Sequence, residues 1–342
     1  MSLLFSSTSR VEHTDKSMNH AKHDSTMYIN LLKTIEDRLN QTLLGKQDVI
    51  RKLLICTLAG GHVLLEDKPG VGKTKLAKAL AQLLGGSFRR IQFTSDLLPA
   101  DVVGGLVWQA EKMELAYRQG PIMANIVLGD ELNRASGRTQ SALLEALEER
   151  YITIDGETYP LPHPFMFIAT QNPLSYSGTN RLPEAQLDRF MMKLSIGYPS
   201  ELFEQQLLYQ YTNKDDSLAF KPVMTDIELA KCINAVKYVH VHDTLLSYMS
   251  KLATVTRQAE HVKLALSPRA LREWLRAAQA KAYLEERNYV LPDDLLYTAR
   301  DVLAHRLIMD SVQQGDDGAT YYIDQLLSQL SFEKVIGRGD KS

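Results

Sequence analysis

The stretch Asp67-Lys68-Pro69-Gly70-Val71-Gly72-Lys73-Thr74 decides which fold the sequence predicts. A short apolar run, 62–65, precedes it, and an apolar pattern with helical spacing, 76–84, follows it, so the stretch joins a strand to a helix. Small residues at such a junction let backbone amides turn inward around phosphate oxygens, and the helix adds the positive end of its dipole. The stretch therefore predicts a phosphate-binding loop.

This loop departs at one position from the strict Walker A pattern, which has glycine where Asp67 stands. A chance glycine-rich turn is the alternative, but the strand before the loop and the helix after it favour phosphate binding. We expect Lys73 to reach the β- and γ-phosphates and Thr74 to ligate Mg²⁺. The predicted nucleotide contacts of the loop are Pro69, Gly70, Val71, Gly72, Lys73, Thr74 and Lys75.

A second apolar run, 126–129, ends in the adjacent carboxylates Asp130 and Glu131, which resembles a Walker B strand. Asp130 is predicted to hold Mg²⁺, commonly through water, because that hard cation takes oxygen ligands. Glu131 is predicted to polarise the water that attacks the terminal phosphate. Most Asp-Glu pairs are solvated helix starts, but the apolar strand and the upstream loop favour catalysis here.

Three further polar residues extend the candidate site. The apolar run 165–170 leads to Asn172, whose amide would point into the crevice at the carboxyl edge of a parallel sheet and orient the attacking water. A turn-forming Asn before proline is the alternative. Arg189 and Arg269 are candidate cations for the transition state, although each residue alone would be interpreted as a surface ion pair.

The hydrophobic pattern divides the 342 residues into four segments. Residues 1–26, rich in Ser, Thr, His and Lys, are predicted to form a disordered arm. Residues 27–199 alternate apolar runs with helical patterns, which predicts a three-layer α/β core with a parallel sheet. Residues 200–312 are a predicted all-α lid domain, and residues 313–342 a C-terminal helix and tail.

Composition limits the classes of partner. Lys plus Arg number 39 and Asp plus Glu 41, a formal net charge of −2, which argues against a broad nucleic-acid surface. Two cysteines, Cys56 and Cys232, predict neither a disulfide framework nor a metal site. No apolar run approaches the roughly 20 residues that span a bilayer, and the first residues do not resemble a signal peptide, so we expect a cytoplasmic protein.

Together these motifs are similar to those of the MoxR-type AAA+ ATPases, a group of P-loop NTPases. The resemblance runs from residue 44 to residue 304. An Asp at position 67 is common in that family, which accounts for the departure from the strict Walker A pattern. The motifs that carry the resemblance are 61–67, 130–135, 139–150, 169–173 and 182–190.

The resemblance implies a role for each candidate residue. Asn172 would be sensor 1, and Arg189 the arginine finger that acts on the ATP of a neighbouring subunit. Arg269 would be sensor 2, with ATP bound between the core and the lid. Leu44 and Gly45 would lie against adenine. The family also implies ATP and Mg²⁺ as ligands and a hexameric ring.

The resemblance further implies what the nucleotide cycle is used for. Proteins of this type hydrolyse ATP and act as chaperone-like factors on client proteins, often with a partner that carries a von Willebrand factor A domain. Two inserted hairpins, at 106–117 and 151–156, correspond to the helix-2 insert and the pre-sensor-1 hairpin, and would pass motion to a client. Two alternatives stay open, namely a DNA-acting motor, since relatives with a helix-2 insert handle DNA, and a nucleotide-gated scaffold with little turnover.

Overall fold

The computed structural model describes residues 27–172, 182–212, 220–310 and 315–330, so the predicted arm at 1–26 and the tail beyond residue 330 lie outside the described residues. Among the described residues, no helix is both long and apolar enough to span a bilayer. The strands are β1 (Val63–Glu66), β2 (Phe88–Gln92), β3 (Gly104–Gln109), β4 (Glu114–Gln119), β5 (Ile126–Asp130), β6 (Tyr151–Ile154), β7 (Glu157–Pro160), β8 (Met166–Gln171), β9 (Met192–Leu194), β10 (Val262–Leu264) and β11 (Ile308–Met309). The helices are α1 (27–42), α2 (Gln47–Leu58), α3 (Lys73–Leu83), α4 (Pro99–Val103), α5 (Gly137–Glu149), α6 (Glu184–Leu187), α7 (Glu201–Thr212), α8 (Asp226–Val236), α9 (Asp243–Gln258), α10 (Pro268–Leu284), α11 (Pro292–Leu303) and α12 (Gly315–Gln329).

Five strands form a parallel sheet in the order β2-β5-β8-β1-β9. β1 lies between β8 and β9, and β5 lies between β2 and β8. Because all five strands are parallel, their carboxyl ends meet at one edge of the sheet. Ligands of open α/β sheets bind in the crevice outside this edge, where the strand order changes direction. The loop after β1 opens at that place.

Alternate residues of the central strands face opposite sides of the sheet. Ile126 and Leu128 of β5 belong to one buried apolar cluster, whereas Val127 belongs to another. β1 and β8 alternate in the same way. Helices α2 and α3 cover the first face, and α4 and α5 cover the second. The predicted three-layer α/β core is therefore confirmed.

Helices α8, α10 and α11 pack against α2 and the edge strand β9. Residues of α8 to α11 share one buried cluster with α1, α2 and α3. Trp274 of α10 is fully buried, and its indole N–H donates to the carbonyl of Leu295 in α11 (2.9 Å). α10 begins at Pro268, and the Ser267 hydroxyl before it accepts from the amide of Ala270 (3.0 Å). The predicted C-terminal helical domain is confirmed, and it shares its core with the sheet.

Two antiparallel hairpins extend from the second face. β3 pairs with β4, and β6 pairs with β7. The rings of Tyr117 in β4 and Tyr159 in β7 stack with centroids 4.1 Å apart, so the hairpins contact each other. Trp108 and Met113 lie at the outer end of the first hairpin and are largely exposed.

Candidate active site

Two glycines of the loop between β1 and α3 have backbone angles that other residues rarely adopt. Gly70 has a φ of +88°, and Gly72, which directly precedes α3, has a φ of +93°. A Cβ atom on Gly70 would meet no atom within 4 Å, so the space over the loop is open. The loop therefore has the positive-φ glycine backbone that a phosphate-binding loop uses at the start of a helix.

Asp67 fastens this loop to the segment that follows β9. Its carboxylate accepts three hydrogen bonds, from the Ser195 hydroxyl (2.9 Å), the Ile196 amide (2.6 Å) and the Gly197 amide (2.9 Å). The residue is only 5% exposed. An aspartate at this position therefore connects two loops at the carboxyl edge of the sheet through hydrogen bonds that a glycine could not make.

Lys73 lies along the inside of the loop. Its ammonium donates to the carbonyl oxygens of Asp67 (2.8 Å) and Lys68 (3.4 Å). Burial lowers the pKa of Lys73, and the carboxylates of Asp67, Asp130 and Glu131 act in the opposite direction. The structure thus brings the predicted phosphate-binding lysine close to both predicted Walker B carboxylates.

The other predicted contacts of the loop differ in exposure. Thr74 is half-buried at the start of α3, and Pro69 and Lys75 are exposed. Val71 is buried and belongs to the apolar cluster on the first face of the sheet. Its side chain therefore packs into the core, and only its backbone remains for a ligand.

Asp130 ends β5 and is 7% exposed. Its Oδ1 accepts a hydrogen bond from the Thr170 hydroxyl (3.2 Å). Its Oδ2 accepts from Nε of Arg90 (2.6 Å), which lies on the neighbouring strand β2. A buried carboxylate with one oxygen fixed by a hydroxyl and the other by a cation is held in a single orientation.

Glu131 follows directly and has a φ of +58°, which turns the chain out of β5 into a short 3₁₀ helix. Its backbone amide donates to the Thr170 hydroxyl (3.0 Å), so Thr170 bridges the two Walker B residues. Its carboxylate accepts from Nε2 of Gln92 (3.2 Å) and pairs with Arg134 (3.1 Å). Glu131 is therefore oriented by groups on three different elements.

Asn172 lies at the same edge of the sheet as these carboxylates. It directly follows β8, whose Ala169 is in register with Gly129 of β5 and whose Gln171 is in register with Glu66 of β1. The predicted sensor 1 position is thus between the strand that ends in Asp130 and the strand that leads into the phosphate loop.

The oxygen donors at this edge suit Mg²⁺. The Thr74 hydroxyl and the Asp130 carboxylate are hard ligands, and Mg²⁺ commonly binds one or two carboxylates together with phosphates and water. Within the described ranges, no cluster of three or more His, Cys, Asp or Glu side chains could hold a metal ion. One hydroxyl and one carboxylate suit a cation whose remaining ligands are phosphates and water.

The predicted adenine contacts lie beside the start of α7. Gly45 has a φ of +72°, and a Cβ atom there would lie 2.3 Å from the ring of Phe203, so this ring packs directly on the Gly45 backbone. Leu44 is half-buried. Lys46 donates to the carbonyl of Tyr198 (2.8 Å), which fastens the segment after β9 to the start of α2.

Arg189 lies at the opposite, amino edge of the sheet. It precedes β9, and the amide of Met191 donates to the carbonyl of His62 just before β1 (2.8 Å). The phosphate loop follows β1, and four residues of strand span about 13 Å. The structure therefore does not bring Arg189 to Lys73 of the same chain.

Arg269 lies beside Arg189 and not beside the phosphate loop. Its Nη1 donates to Oε1 of Glu148 (2.8 Å), and Arg189 pairs with the other oxygen of the same carboxylate. Burial lowers the pKa of the Arg189 guanidinium, and the positive charge of Arg269 lowers it further. Two of the predicted cations thus form one pair at the end of α5, away from the nucleotide loop of their own chain.

Comparison with known proteins identifies the family. The sequence profile of the ATPase family associated with various cellular activities matches residues 62–192, and that of the AAA lid domain matches residues 254–321. The Bacillus subtilis protein YeaC, named as uncharacterised, is 47% identical over 279 residues, which cover 82% of this chain and 87% of that protein. The Mycobacterium tuberculosis protein named chaperone MoxR1 is 36% identical over 309 residues, which cover 88% of this chain and 78% of that protein. The chain belongs to the MoxR family of AAA+ ATPases.

A solved structure agrees with this assignment to the MoxR family. The crystal structure of a protein described as an ATPase from Cytophaga hutchinsonii matches with a TM-score of 0.85 at 33% sequence identity. The match covers 92% of this chain and 98% of that one. It therefore includes the helical region as well as the parallel sheet.

The MoxR motifs did not predict every residue that shapes the site. In the sequence, Asp67 stands out only as a departure from the Walker A pattern, and Thr170 only as the end of an apolar run. Polar residues at alternate positions of the β2 segment were a signal, because a strand that is buried on both faces has few of them. The residues that sequence reasoning missed are Arg90, Gln92, Glu148, Thr170 and Arg306.

Proposed function

We propose that this chain hydrolyses ATP with Mg²⁺ and uses the cycle to remodel or activate partner proteins. The observation that supports hydrolysis most directly is the meeting of three features at the carboxyl edge of the sheet. These are the open glycine loop, the Lys73 ammonium and the adjacent carboxylates of Asp130 and Glu131. The AAA+ family assignment supports the same activity.

In this proposal the loop and its lysine bind the triphosphate. Backbone amides of the loop and the start of α3 face the phosphate oxygens, and Lys73 exchanges its carbonyl partners for them. Leu44 and Gly45 contact adenine. Thr74 and Asp130 are the residues that would hold Mg²⁺, which when bound neutralises charge on the β- and γ-phosphates.

Glu131 and Asn172 direct the attacking water. The Glu131 carboxylate accepts a hydrogen bond from this water and draws its proton away from the oxygen that attacks, and the Asn172 amide fixes its position. Its partners Gln92 and Arg134 both contact Oε2, so in this proposal Oε1 accepts the hydrogen bond from the water.

Arg189 and Arg269 complete the site of a neighbouring subunit. Both lie at the amino edge of the sheet, so they serve a nucleotide bound to another copy of the chain. An arginine that neutralises charge in the transition state accelerates phosphoryl transfer by about 10³- to 10⁵-fold. Head-to-tail contacts of this kind close into a ring, which we propose to be a hexamer.

The client is proposed to be another protein in the cytoplasm. The relative from Mycobacterium tuberculosis is named a chaperone, which supports a remodelling role. We further propose a partner with a von Willebrand factor A domain, as the MoxR resemblance implies. The exposed Trp108 and Met113 of the first hairpin are suitable apolar contacts for a client.

Hydrolysis is tested by phosphate release at several protein concentrations. The rate per subunit should rise with concentration, because arginines from a neighbour are needed. Glu131→Gln should bind ATP in calorimetry and release no phosphate, whereas Lys73→Ala should not bind ATP. Normal turnover by Glu131→Gln would remove its catalytic role. ATP binding without turnover by the wild type would favour the scaffold, and hydrolysis stimulated by DNA would favour the DNA-acting motor.

The action of arginine across subunits is tested by mixing variants. Arg189→Ala should bind ATP and lose hydrolysis, and mixing it with Lys73→Ala should restore activity, since each variant keeps what the other lacks. The client and the partner are tested by capture on Glu131→Gln in ATP, with the same variant in ADP as control. Recovery of the same proteins in both states would contradict nucleotide-dependent engagement.

A further inference from the structure

One carboxylate holds both arginines of the amino edge. Glu148 lies in the last turn of α5, and its two oxygens pair with Arg189 and Arg269. The two arginine side chains are about three-quarters buried, with 26% and 25% exposed. They come from different parts of the fold, one from the segment before β9 and one from the first turn of α10.

Two guanidinium groups this close repel each other unless an anion lies between them. Arg269 is among the charges that lower the pKa of Arg189, which is the electrostatic sign of that repulsion. Asp188 is the other carboxylate in reach, but it lies 4.0 Å from Arg269 and is already bonded to the buried Arg306 (2.7 Å). Among the described residues, Glu148 is therefore the anion that holds the pair together.

Glu148 also links the pair to the hydrolysis site of the same chain. α5 has 13 residues, about 20 Å of helix, and the Ser136 hydroxyl caps its start. The short 3₁₀ helix that Glu131 begins ends two residues before Ser136. One end of α5 thus follows the Walker B glutamate, and its other end holds the arginines.

We propose that Glu148 is a positioning residue that fixes Arg189 and Arg269 as a two-pronged cation for the phosphates of the neighbouring subunit. The inference rests on the proposed function, because it needs arginines that act across subunits. One carboxylate between two guanidiniums leaves the cluster with one net positive charge, which remains available to a triphosphate. Neutralising the carboxylate would let the two cations separate and move from their reactive positions.

The test is the variant Glu148→Gln, which keeps the size of the side chain and removes its charge. The matched control is Glu145→Gln, one turn earlier on α5, where the carboxylate is exposed and pairs with no charged group in the part of the chain that the structure describes. Displacing a catalytic group by about 1 Å costs up to about 100-fold in rate, so kcat for phosphate release should fall about 10- to 100-fold. KM for ATP should change less than about twofold, because the phosphate loop of each subunit is intact, and Glu145→Gln should match the wild type.

Mixing experiments separate positioning from a general loss of structure. Glu148→Gln mixed with Lys73→Ala should regain activity, since the second variant supplies intact arginines to the nucleotide site of the first. Glu148→Gln mixed with Arg189→Ala should not regain it, because both have lost the same element. Inactivity in the Lys73→Ala mixture would overturn the inference, since the defect would then reach beyond the arginines.

The outcomes distinguish this inference from the proposed function. If wild type and Glu145→Gln release phosphate, Arg189→Ala does not, and Glu148→Gln keeps the wild-type kcat, then the role of Glu148 is refuted and the proposed function stands. If wild type releases no phosphate, or if Arg189→Ala keeps full activity, the proposed function itself fails.

Discussion

Replacing Asp67 with glycine would restore the strict Walker A pattern, and we expect it to weaken the protein. The Asp67 carboxylate is buried and accepts from Ser195, Ile196 and Gly197. Asp67 is not among the described residues with positive φ, so the backbone there does not need glycine. Asp67→Gly therefore removes three hydrogen bonds and supplies no conformational relief.

The size of the effect follows from those contacts. A hydrogen bond to a charged group contributes about 1.5–3 kcal/mol, and a buried donor left without a partner costs about 1–3 kcal/mol. Water that enters beside the exposed Gly70 would recover part of the loss from the three donors. We therefore expect Asp67→Gly to lower the free energy of unfolding by about 3–5 kcal/mol. Asp67→Asn keeps one acceptor but places an amide N–H₂ against a donor, and should cost about 1–3 kcal/mol.

The assay is urea unfolding followed by far-ultraviolet circular dichroism. With a slope of about 3 kcal/mol per molar urea, the Asp67→Gly midpoint should fall by about 1 to 1.7 M. ATP should also bind more weakly in calorimetry, because Lys73 donates to the Asp67 carbonyl and the loop would lose its fixed place. Because both losses have the same cause, the urea midpoint and the ATP affinity should both be lower in Asp67→Gly than in Asp67→Asn.

The control is Asp155→Gly, the same replacement in the exposed turn between β6 and β7. Asp155 has a φ of +50°, so glycine relieves strain there and the midpoint should stay level or rise. If Asp67→Gly and Asp155→Gly unfold at the same urea concentration, the three hydrogen bonds of Asp67 contribute no stability. In that case the hydrogen bonds of Asp67 do not explain why an aspartate stands at this position.

Three other substitutions test the environment of the site. Arg90→Gln frees one oxygen of Asp130, and removing an ion pair of about 0.2–1 kcal/mol should tighten Mg²⁺-dependent ADP binding up to about fivefold in calorimetry, with binding in EDTA unchanged. Thr170→Val removes the hydroxyl that bridges the Walker B residues and should lower the free energy of urea unfolding by about 1–3 kcal/mol; an unchanged midpoint would contradict the bridge. Arg306→Lys cannot reproduce the donors of a buried guanidinium, so thermal unfolding should begin at a lower temperature. Because Arg306 holds the segment that carries Arg189, the rate of phosphate release should also fall. Equal melting curves for the variant and the wild type would contradict this anchoring role.

The fold was predictable because its decisive signals are local. A glycine-rich loop between an apolar run and a helical pattern is compatible with few folds. Strands that are buried on both faces appear in the sequence as continuous apolar runs. The runs 62–65, 126–129 and 165–170 correspond to β1, β5 and β8. The order of the strands and the shared core of sheet and C-terminal helices depend on contacts between residues far apart in sequence, which periodicity does not encode.

In the candidate site, too, the sequence predicts the residues that local patterns mark and not their tertiary partners. Asp130 ends a strand, Lys73 and Asn172 come after strands, and parallel pairing alone brings the ends of such strands together. The partners of these residues come from cross-strand register and from helix docking. Thr170 reaches Asp130 because β8 pairs with β5, and Arg269 reaches Glu148 because the first turn of α10 lies beside the last turn of α5. No sequence spacing specifies either contact.

The geometry of a parallel sheet gives the proposed ring a physical reason. The groups proposed to bind the nucleotide gather at the carboxyl edge of the strands, and the arginine pair lies at the amino edge, so the fold does not bring the two sets together within one chain. They can meet only when the carboxyl edge of one copy faces the amino edge of the next. Helix α5 spans these two edges from the Walker B glutamate to the carboxylate that holds the arginines.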